Sequence, residues 1–535
     1  MKWAKFSSGV IIILMAAIAT GNTKPGDVVK SYSTPFSCPT GLTWDGHYLW
    51  VADRKSDLLY KIEPRTGRVV RQFSSPGFWP LDLAWDGKYL WNIDREESKI
   101  YQIDPQTGTI LRVLEAPSSN PRGLAWDGQY LWLSDGREGK IYQISPGDGT
   151  AITSIIAPTS RPNGLTFDGK YLWVSDRFRD EIYMVHPQTG DCLMILKSPA
   201  PYPNGLAWDG KFLWNVDYQS DQLYKIKIHD AQEWKVVQNE RYAIIEYTHQ
   251  VRNYGPGRLK NLDVYIAVPQ NMARQKIVGE IQFEPAPTDM LTDQWGQKVA
   301  HFNYQNLPPQ KIQNSVMKVK AKIYEVRYFI FPEQVGTLEQ IPAAIKKQYL
   351  VDGEKYRVNN PYFKNIVRQV VGNEKNAYWI ARKLYRYVID QMHYELVGGW
   401  NIAPTVLRRG SGSCSEYTFV YVALCRTAGL PARYSGSVVV RGDDASLDDV
   451  FHRWAEVYLP NYGWIPVDPS GGDQKWPRGQ ADFFGHLSNR YLVTTRGGGD
   501  SIYLSWYYNS NENWQAEPKT MLHIETLAEW SPLKE

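Results

Sequence analysis

A 41-residue unit occurs five times without a gap, and this regularity constrains the chain more than any other feature. The copies begin at Thr43, Ala84, Ala125, Thr166 and Ala207, and the first reads TWDGHYLWVADRKSDLLYKIEPRTG. Each holds an Asp-Gly hairpin signal, because Gly accepts positive φ at little cost. Short runs such as YLWVAD and LYKIEP surround that turn, and a further run such as RVVRQFSSP follows. Four short strands per unit of this length predict one propeller blade per copy. The fourth run appears at Gly67, Gly108, Gly149 and Gly190 but is missing after Asp230; its counterpart is GDVVKSYSTP, from Gly26. An N-terminal strand is therefore expected to complete the fifth blade of an all-β propeller over 26–230, leaving no free inner edge.

Every copy carries an Asp after its Trp: Asp53, Asp94, Asp135, Asp176 and Asp217. Such carboxylates commonly cap nearby backbone amides. The sharper reading is a ring of carboxylates around a channel that binds a cation or a basic ligand. A group repeated five times is poor ground for catalysis, so the propeller is expected to dock a substrate or a protein partner.

The first residues, MKWAKFSSGVIIILMAAIATGNT, combine two lysines, a short apolar run and Ala17-Ile18-Ala19. This predicts a secretory signal over 1–19 and an exported protein, periplasmic or extracellular; a retained anchor is the alternative. No other stretch is long and apolar enough to span a bilayer, so no membrane span is expected after signal removal. With 60 basic and 56 acidic residues, the charge balance gives no electrostatic case for nucleic acid or an anionic membrane.

After the repeats, runs such as RYAIIEYTHQVRN, LDVYIAVPQN and MKVKAKIYEVRYFIF predict a β-sandwich over 231–332. His249 and His301 lie there without partners at metal-ligand spacing. Helical periodicity begins after Pro332, and NEKNAYWIARKLYRYVIDQM reads as a core helix with Asn373 as its N-cap. The aromatic, strand-like stretch 501–535 is a C-terminal extension with no assigned function.

The stretch SGSCSEYTFVYVALCRTAGLPAR reads as a helix with a defined start and stop. Ser413 and Glu416 make a capping box, and Gly429 with Pro431 ends the helix. Cys414 is then the first helical residue, where free N–H groups and the positive end of the dipole stabilise a thiolate. Gly412, without a side chain, would let a substrate backbone come close. Cys425 lies ~16 Å along the same helix, at ~1.5 Å per residue, so it cannot bridge to Cys414; its apolar neighbours mark it as core. Cys38 and Cys192 lie in different blades, and a bridge between them is left open.

A nucleophilic thiolate needs a base and a group to orient it. Downstream, FHRWAEVYLPNYGWIPVDPS reads as a hairpin carrying His452 and Asp468. With a three-residue loop the two side chains share a face as diagonal neighbours; with a two-residue loop they do not. The acidic loop DDASLDD, 443–449, reads as solvated, or as a gate favouring basic substrates.

These motifs resemble the transglutaminase-like superfamily over about 360–500: a cysteine at a helix start after GSGS, then GLPAR, then HRWAEVYLP and GWIPVDPS. The resemblance implies an α+β papain-like catalytic domain over 333–500, with Cys414 as nucleophile, His452 as base and Asp468 as orienter. It implies no metal and no cofactor. Arg453, where the family commonly has Ala, is expected on the opposite strand face. The repeats resemble bacterial propellers of the NHL and glutaminyl-cyclase-like type. The expected activity is a cysteine-dependent amidase or peptidase acting on peptide or glutamine carboxamide bonds through a thioester, with hydrolysis favoured over crosslinking. The alternatives are a non-catalytic propeller-based scaffold, or a glutaminyl-cyclase-like activity carried by the propeller.

Overall fold

The computed structural model describes residues 24–34, 36–230, 232–396, 400–440 and 446–533. The expected signal segment 1–19 lies outside them, as does part of the acidic loop; its Ser446–Asp448 pairs with the strand Met521–Pro532.

The repeats form five antiparallel sheets of four strands each. In the last one, the first strand of the chain, Val28–Ser33, pairs with Gln222–Lys227, as the missing fourth run requires. The first strands of successive sheets touch in turn, and Pro203–Trp208 of the fifth touches Pro39–Trp44 of the first. They approach so closely that side chains are excluded: a Cβ on Gly205 would lie 2.4 Å from the Leu42 nitrogen. Gly41, Gly123, Gly164 and Gly205 hold this position in four copies, and Asp82 holds it in the second. The buried Asp82 carboxylate accepts from the N–H groups of Leu42, Leu83, Leu124 and Leu165 at 2.9–3.1 Å, tying four sheets to one side chain. Burial pushes its pKa up to about 7 against those four donors.

The five repeated aspartates are engaged by nearby backbone and hydroxyl donors. Asp53 accepts from the N–H of Cys38 (2.7 Å) and Ser56 (2.8 Å), and Asp217 from those of Gln219 and Ser220. Asp94 caps Trp79 and Glu97, while Asp135 and Asp176 add the hydroxyls of Ser118 and Thr159 to their backbone donors. They are caps, as Asp chemistry at strand ends favours.

The next two sheets pack face to face around Ala243, Ile245, Val264, Ile266 and Trp530. One has Lys235–Gly255 between Ile312–Tyr328 and Met521–Pro532; the other has Leu259–Ala267 between Lys298–Leu307 and Ser510–Ala516. The stretch 501–535 is thus no separate extension. It supplies one strand to each sheet, a pairing across half the chain that no local pattern reveals.

The segment between holds the helices Pro361–Val370, Ala377–Gln391, Ala403–Arg409 and Cys414–Thr427, and a four-stranded sheet ordered Gly463–Val467, His452–Leu459, Ala432–Val439, Tyr491–Gly497. Asn376, not Asn373, caps the second helix: its side chain accepts from Tyr378 and Trp379 at 2.9 and 3.2 Å. Its amide also donates to the carbonyls of Pro332 and Val335, which places the cap where that segment passes.

The fourth repeat is docked firmly on this unit. The outer strands Val69–Ser74, Ile110–Glu115 and Ala151–Ile156 are largely exposed, but Cys192–Lys197 is buried along five of its six residues. Buried Arg382 donates to the Cys192 carbonyl at 2.9 Å. Arg478 pairs with the Glu181 carboxylate through two bonds of 2.8 and 2.9 Å. Cys38 and Cys192 are both free.

Candidate active site

The helix Cys414–Thr427 is buried along nearly its whole length, and its start is fixed by Glu416. That carboxylate, fully buried, accepts from the N–H of Asn401 (3.0 Å) and of Ser413 (3.4 Å) and pairs with Arg409 at 2.7 Å. It therefore does more than complete a capping box: it ties the 400–401 segment to the nucleophile helix. Gly412 is not an opening for substrate. It pairs with Tyr394, and a Cβ there would lie 2.9 Å from the Glu416 side chain, so glycine is required by Glu416 packing beneath it.

The hairpin resolves the register left open by the sequence. Leu459 pairs with Gly463, so the loop is Pro460-Asn461-Tyr462, three residues, with Asn461 and Gly463 both at positive φ. Trp454 would face Asp468 across the ladder, and His452 sits two residues before it on the same face. His452 Nε2 lies 2.6 Å from Asp468 Oδ2. The other carboxylate oxygen accepts from Ser470 N–H and Oγ–H and from Gly471 N–H, at 2.8–3.1 Å, which aims Oδ2 at the ring. With Nε2 so engaged, Nδ1 is the ring nitrogen left over, and His452 is close enough to Cys414 to act on its thiol.

The electrostatics follow from these contacts. Burial pushes the Cys414 thiol up, but the hydrogen bond and charge of His452, with the Arg453 N–H, bring it below its ordinary value. Burial depresses His452, yet Asp468 and Cys414 hold the imidazolium well above its ordinary range. Asp468 is lowered: burial raises it, and His452 outweighs that. The three together favour a thiolate–imidazolium pair. Cys425, in contrast, is pushed up by burial and stays a thiol among Tyr421 and other core side chains.

Arg453 lies on the opposite strand face, as expected, but it is far from inert. Its guanidinium is fully buried among the rings of Trp400, Phe419, Tyr434 and Tyr508, 4.4–5.0 Å from each centroid, and donates to the Trp506 carbonyl. This cage holds the backbone N–H that helps to lower the Cys414 thiol. Nothing local in the sequence marks it, since the four rings come from four separate segments.

Beside Cys414 opens a cleft of about 350 Å³ walled by Trp400, Phe451, Tyr507 and Tyr508. The Phe451 carbonyl lies 4.0 Å from Sγ, which joins cleft to nucleophile. His249 and Glu512 line its far side, with Nε2 3.6 Å from the carboxylate. Burial pushes Glu512 up to about 7 and His249 down to about 4. His249, read in the sequence as isolated, gains its neighbours from the C-terminal strand Ser510–Ala516.

Residues 364–469 match the model of the transglutaminase-like superfamily, a span that contains Cys414, His452 and Asp468. This part of the chain is a transglutaminase-like domain. Residues 44–163, in the sheets of the repeats, match a repeat of unknown function, DUF6923. An uncharacterized Haemophilus influenzae protein is 28% identical over 166 residues, 26% of this chain and 45% of the relative. The uncharacterized protein YebA of Bacillus subtilis is 35% identical over 71 residues, 11% of this chain and 10% of the relative. The chain thus spans less than half the length of either. Among solved structures, Myxococcus xanthus glutaminyl cyclase is similar at 14% identity with a TM-score of 0.35, over 38% of this chain and 97% of that one. A candidate cysteine protease from Cytophaga hutchinsonii is similar at 13% identity with a TM-score of 0.38, over 56% of this chain and all of that one.

Proposed function

We propose that the protein is an exported thiol hydrolase that cleaves peptide or side-chain carboxamide bonds, and that its five sheets are the blades of a propeller that docks substrate. The observation that carries this reading is the His452–Asp468 pair, 2.6 Å apart, acting on Cys414 at a helix start. The Cys414 thiolate attacks the carbonyl carbon, and the negative charge moves to its oxygen. The Cys414 N–H, at the open end of the helix, is one donor for that oxyanion. The His452 imidazolium gives its proton to the leaving amine or ammonia as the C–N bond breaks, leaving a thioester. Neutral His452 then takes a proton from water, whose oxygen displaces the sulfur and releases the acid. Asp468 stays ionised and keeps Nε2 protonated throughout.

The test is release of amine or ammonia from a carboxamide peptide library, read by mass spectrometry. The expected result is turnover that Cys414→Ala abolishes. Full turnover by Cys414→Ala would contradict the proposal, and turnover only with added amine would recast the enzyme as an acyltransferase.

A further inference from the structure

In four repeats the first strand begins opposite the Asp that ends the second: Pro39 pairs with Asp53, Pro80 with Asp94, Pro121 with Asp135 and Pro203 with Asp217. Residues just after those aspartates and around those prolines therefore gather at one end of the ring. Arginines are concentrated there: Arg54, Arg95 and Arg177 directly follow the capped aspartates, Arg122 follows Pro121, and Arg161 precedes Pro162. Four of the guanidiniums are held by aromatic faces rather than by acids. Arg54 and Arg95 stack on Trp79, at 3.4 and 4.5 Å, and Arg161 and Arg177 on Phe178, at 4.6 and 5.2 Å.

Among the described residues, none of these five side chains has an ion-pair or hydrogen-bond partner. Asp53, Asp94 and Asp135 are engaged as caps, and the acids whose charge reaches the cluster most strongly, Asp135 and Glu96, are outnumbered. Burial and the charges of Arg95, Arg177 and Arg161 hold Arg122 down at about 10, so the guanidiniums are close enough to repel. Arg122, Arg137, Arg161 and Arg177 line a recess of about 440 Å³. Free forks of donors, stacked in place around a cavity, fit carboxylates.

Ser160 lines this recess and also a groove of about 360 Å³ whose other walls include Arg179, Lys475, Trp476 and Phe483. The segment 471–476 begins three residues after Asp468, and its Asp473 accepts from Tyr417 Oη on the nucleophile helix at 2.9 Å. The basic end of the ring thus runs toward the catalytic segment.

We propose that this end of the ring binds an acidic peptide segment, whose carboxylates take the guanidiniums of Arg54, Arg95, Arg122, Arg161 and Arg177, and that it holds acidic substrate proteins for the Cys414 site. The last clause rests on the thiol-hydrolase reading; the binding site does not. A recessed Arg122 is out of reach of a flat lipid surface. The exposed rings of Phe78, Phe178, Tyr202 and Tyr218 at the same end suit the side chains of a peptide better than a phosphate polymer.

The experiment uses the full chain as Cys414→Ala, so that binding is read without turnover, with a fluorescein-labelled oligoglutamate peptide and its oligoglutamine analogue. Anisotropy should show the acidic peptide binding at least about tenfold tighter, and Arg122→Gln with Arg177→Gln should weaken it by about tenfold or more, as expected for lost charge-assisted bonds. Thermal melting of Arg122→Gln should not fall, since a repelled charge is removed. If that variant does not fold, Arg95→Gln at the rim serves instead. Equal binding of the two peptides, undiminished binding by the Arg variants, or preference for polyphosphate or phosphatidylglycerol vesicles over oligoglutamate would overturn the proposal.

Discussion

His452 Nε2 stands 2.6 Å from Asp468 Oδ2, across two strands whose three-residue connection puts both side chains on one face. That relationship fixes which ring nitrogen is free to meet the thiol and keeps the imidazole charged. Without Asp468, the largest upward pull on His452 is gone while the burial that depresses it remains. Asp468→Asn should lower turnover by about 10⁴-fold, as when the carboxylate of a catalytic triad is replaced by its amide. The alkaline limb of the pH–rate profile should also move to lower pH, because the imidazolium then loses its proton earlier. An unchanged alkaline limb would mean that Asp468 does not hold the ring.

Asp82 joins four of the repeat sheets by accepting one N–H group from each. Asp82→Ala leaves those buried donors without their acceptor, at about 1–3 kcal/mol for each left unsatisfied. Thermal or denaturant unfolding should show a loss of about 3 kcal/mol or more, and a near-neutral substitution would contradict the view that this carboxylate ties the sheets together.

Glu181 and Arg478 fasten the fourth sheet to the catalytic unit through a nearly buried carboxylate. Burial raises the Glu181 pKa, but Arg478 and Lys197 bring it below its ordinary 4.5. A lowered carboxyl stabilises the fold fully above that value and loses its contribution as pH falls through the folded pKa. Arg478→Met should destabilise, by up to about 3–5 kcal/mol, because the buried Glu181 charge is left to Lys197 and the Tyr183 hydroxyl alone. Adding Glu181→Leu should recover much of that loss, which a double-mutant unfolding series would measure.

The parts legible in the sequence are those set by local or periodic signals. The Asp-Gly turns, the missing fourth run after Asp230 and the strand from Gly26 predicted five four-stranded sheets and their closing pair. The helix start at Cys414 was legible in the capping pattern, whereas the register that sets His452 beside Asp468 was left open by the sequence and follows from the three-residue loop Pro460-Asn461-Tyr462. What stayed hidden depends on distant segments meeting. The strands from 510–516 and 521–532 enter the sandwich across half the chain, and the cage around Arg453 draws one ring each from four places. Gly412 looked like an approach path because its contact with Glu416 exists only once the helix and the 411–412 strand are packed. Asp82 did leave a signal: it is the one copy that departs from Gly at its position. The arginines after Asp53, Asp94 and Asp176 left another in the aligned repeats.

The central claim is a thiolate–imidazolium pair at Cys414 and His452, and the rate of Cys414 alkylation by iodoacetamide against pH, followed by mass spectrometry, tests it most directly. With the thiol lowered and the imidazole raised, wild-type Cys414 should label rapidly and keep that rate below pH 7, while Cys425 stays unlabelled. His452→Ala should shift labelling up toward the ordinary thiol range near ~8.5, since burial is then opposed only by the Arg453 N–H and the helix start. Slow wild-type labelling with an ordinary thiol profile, unchanged in His452→Ala, would contradict the account.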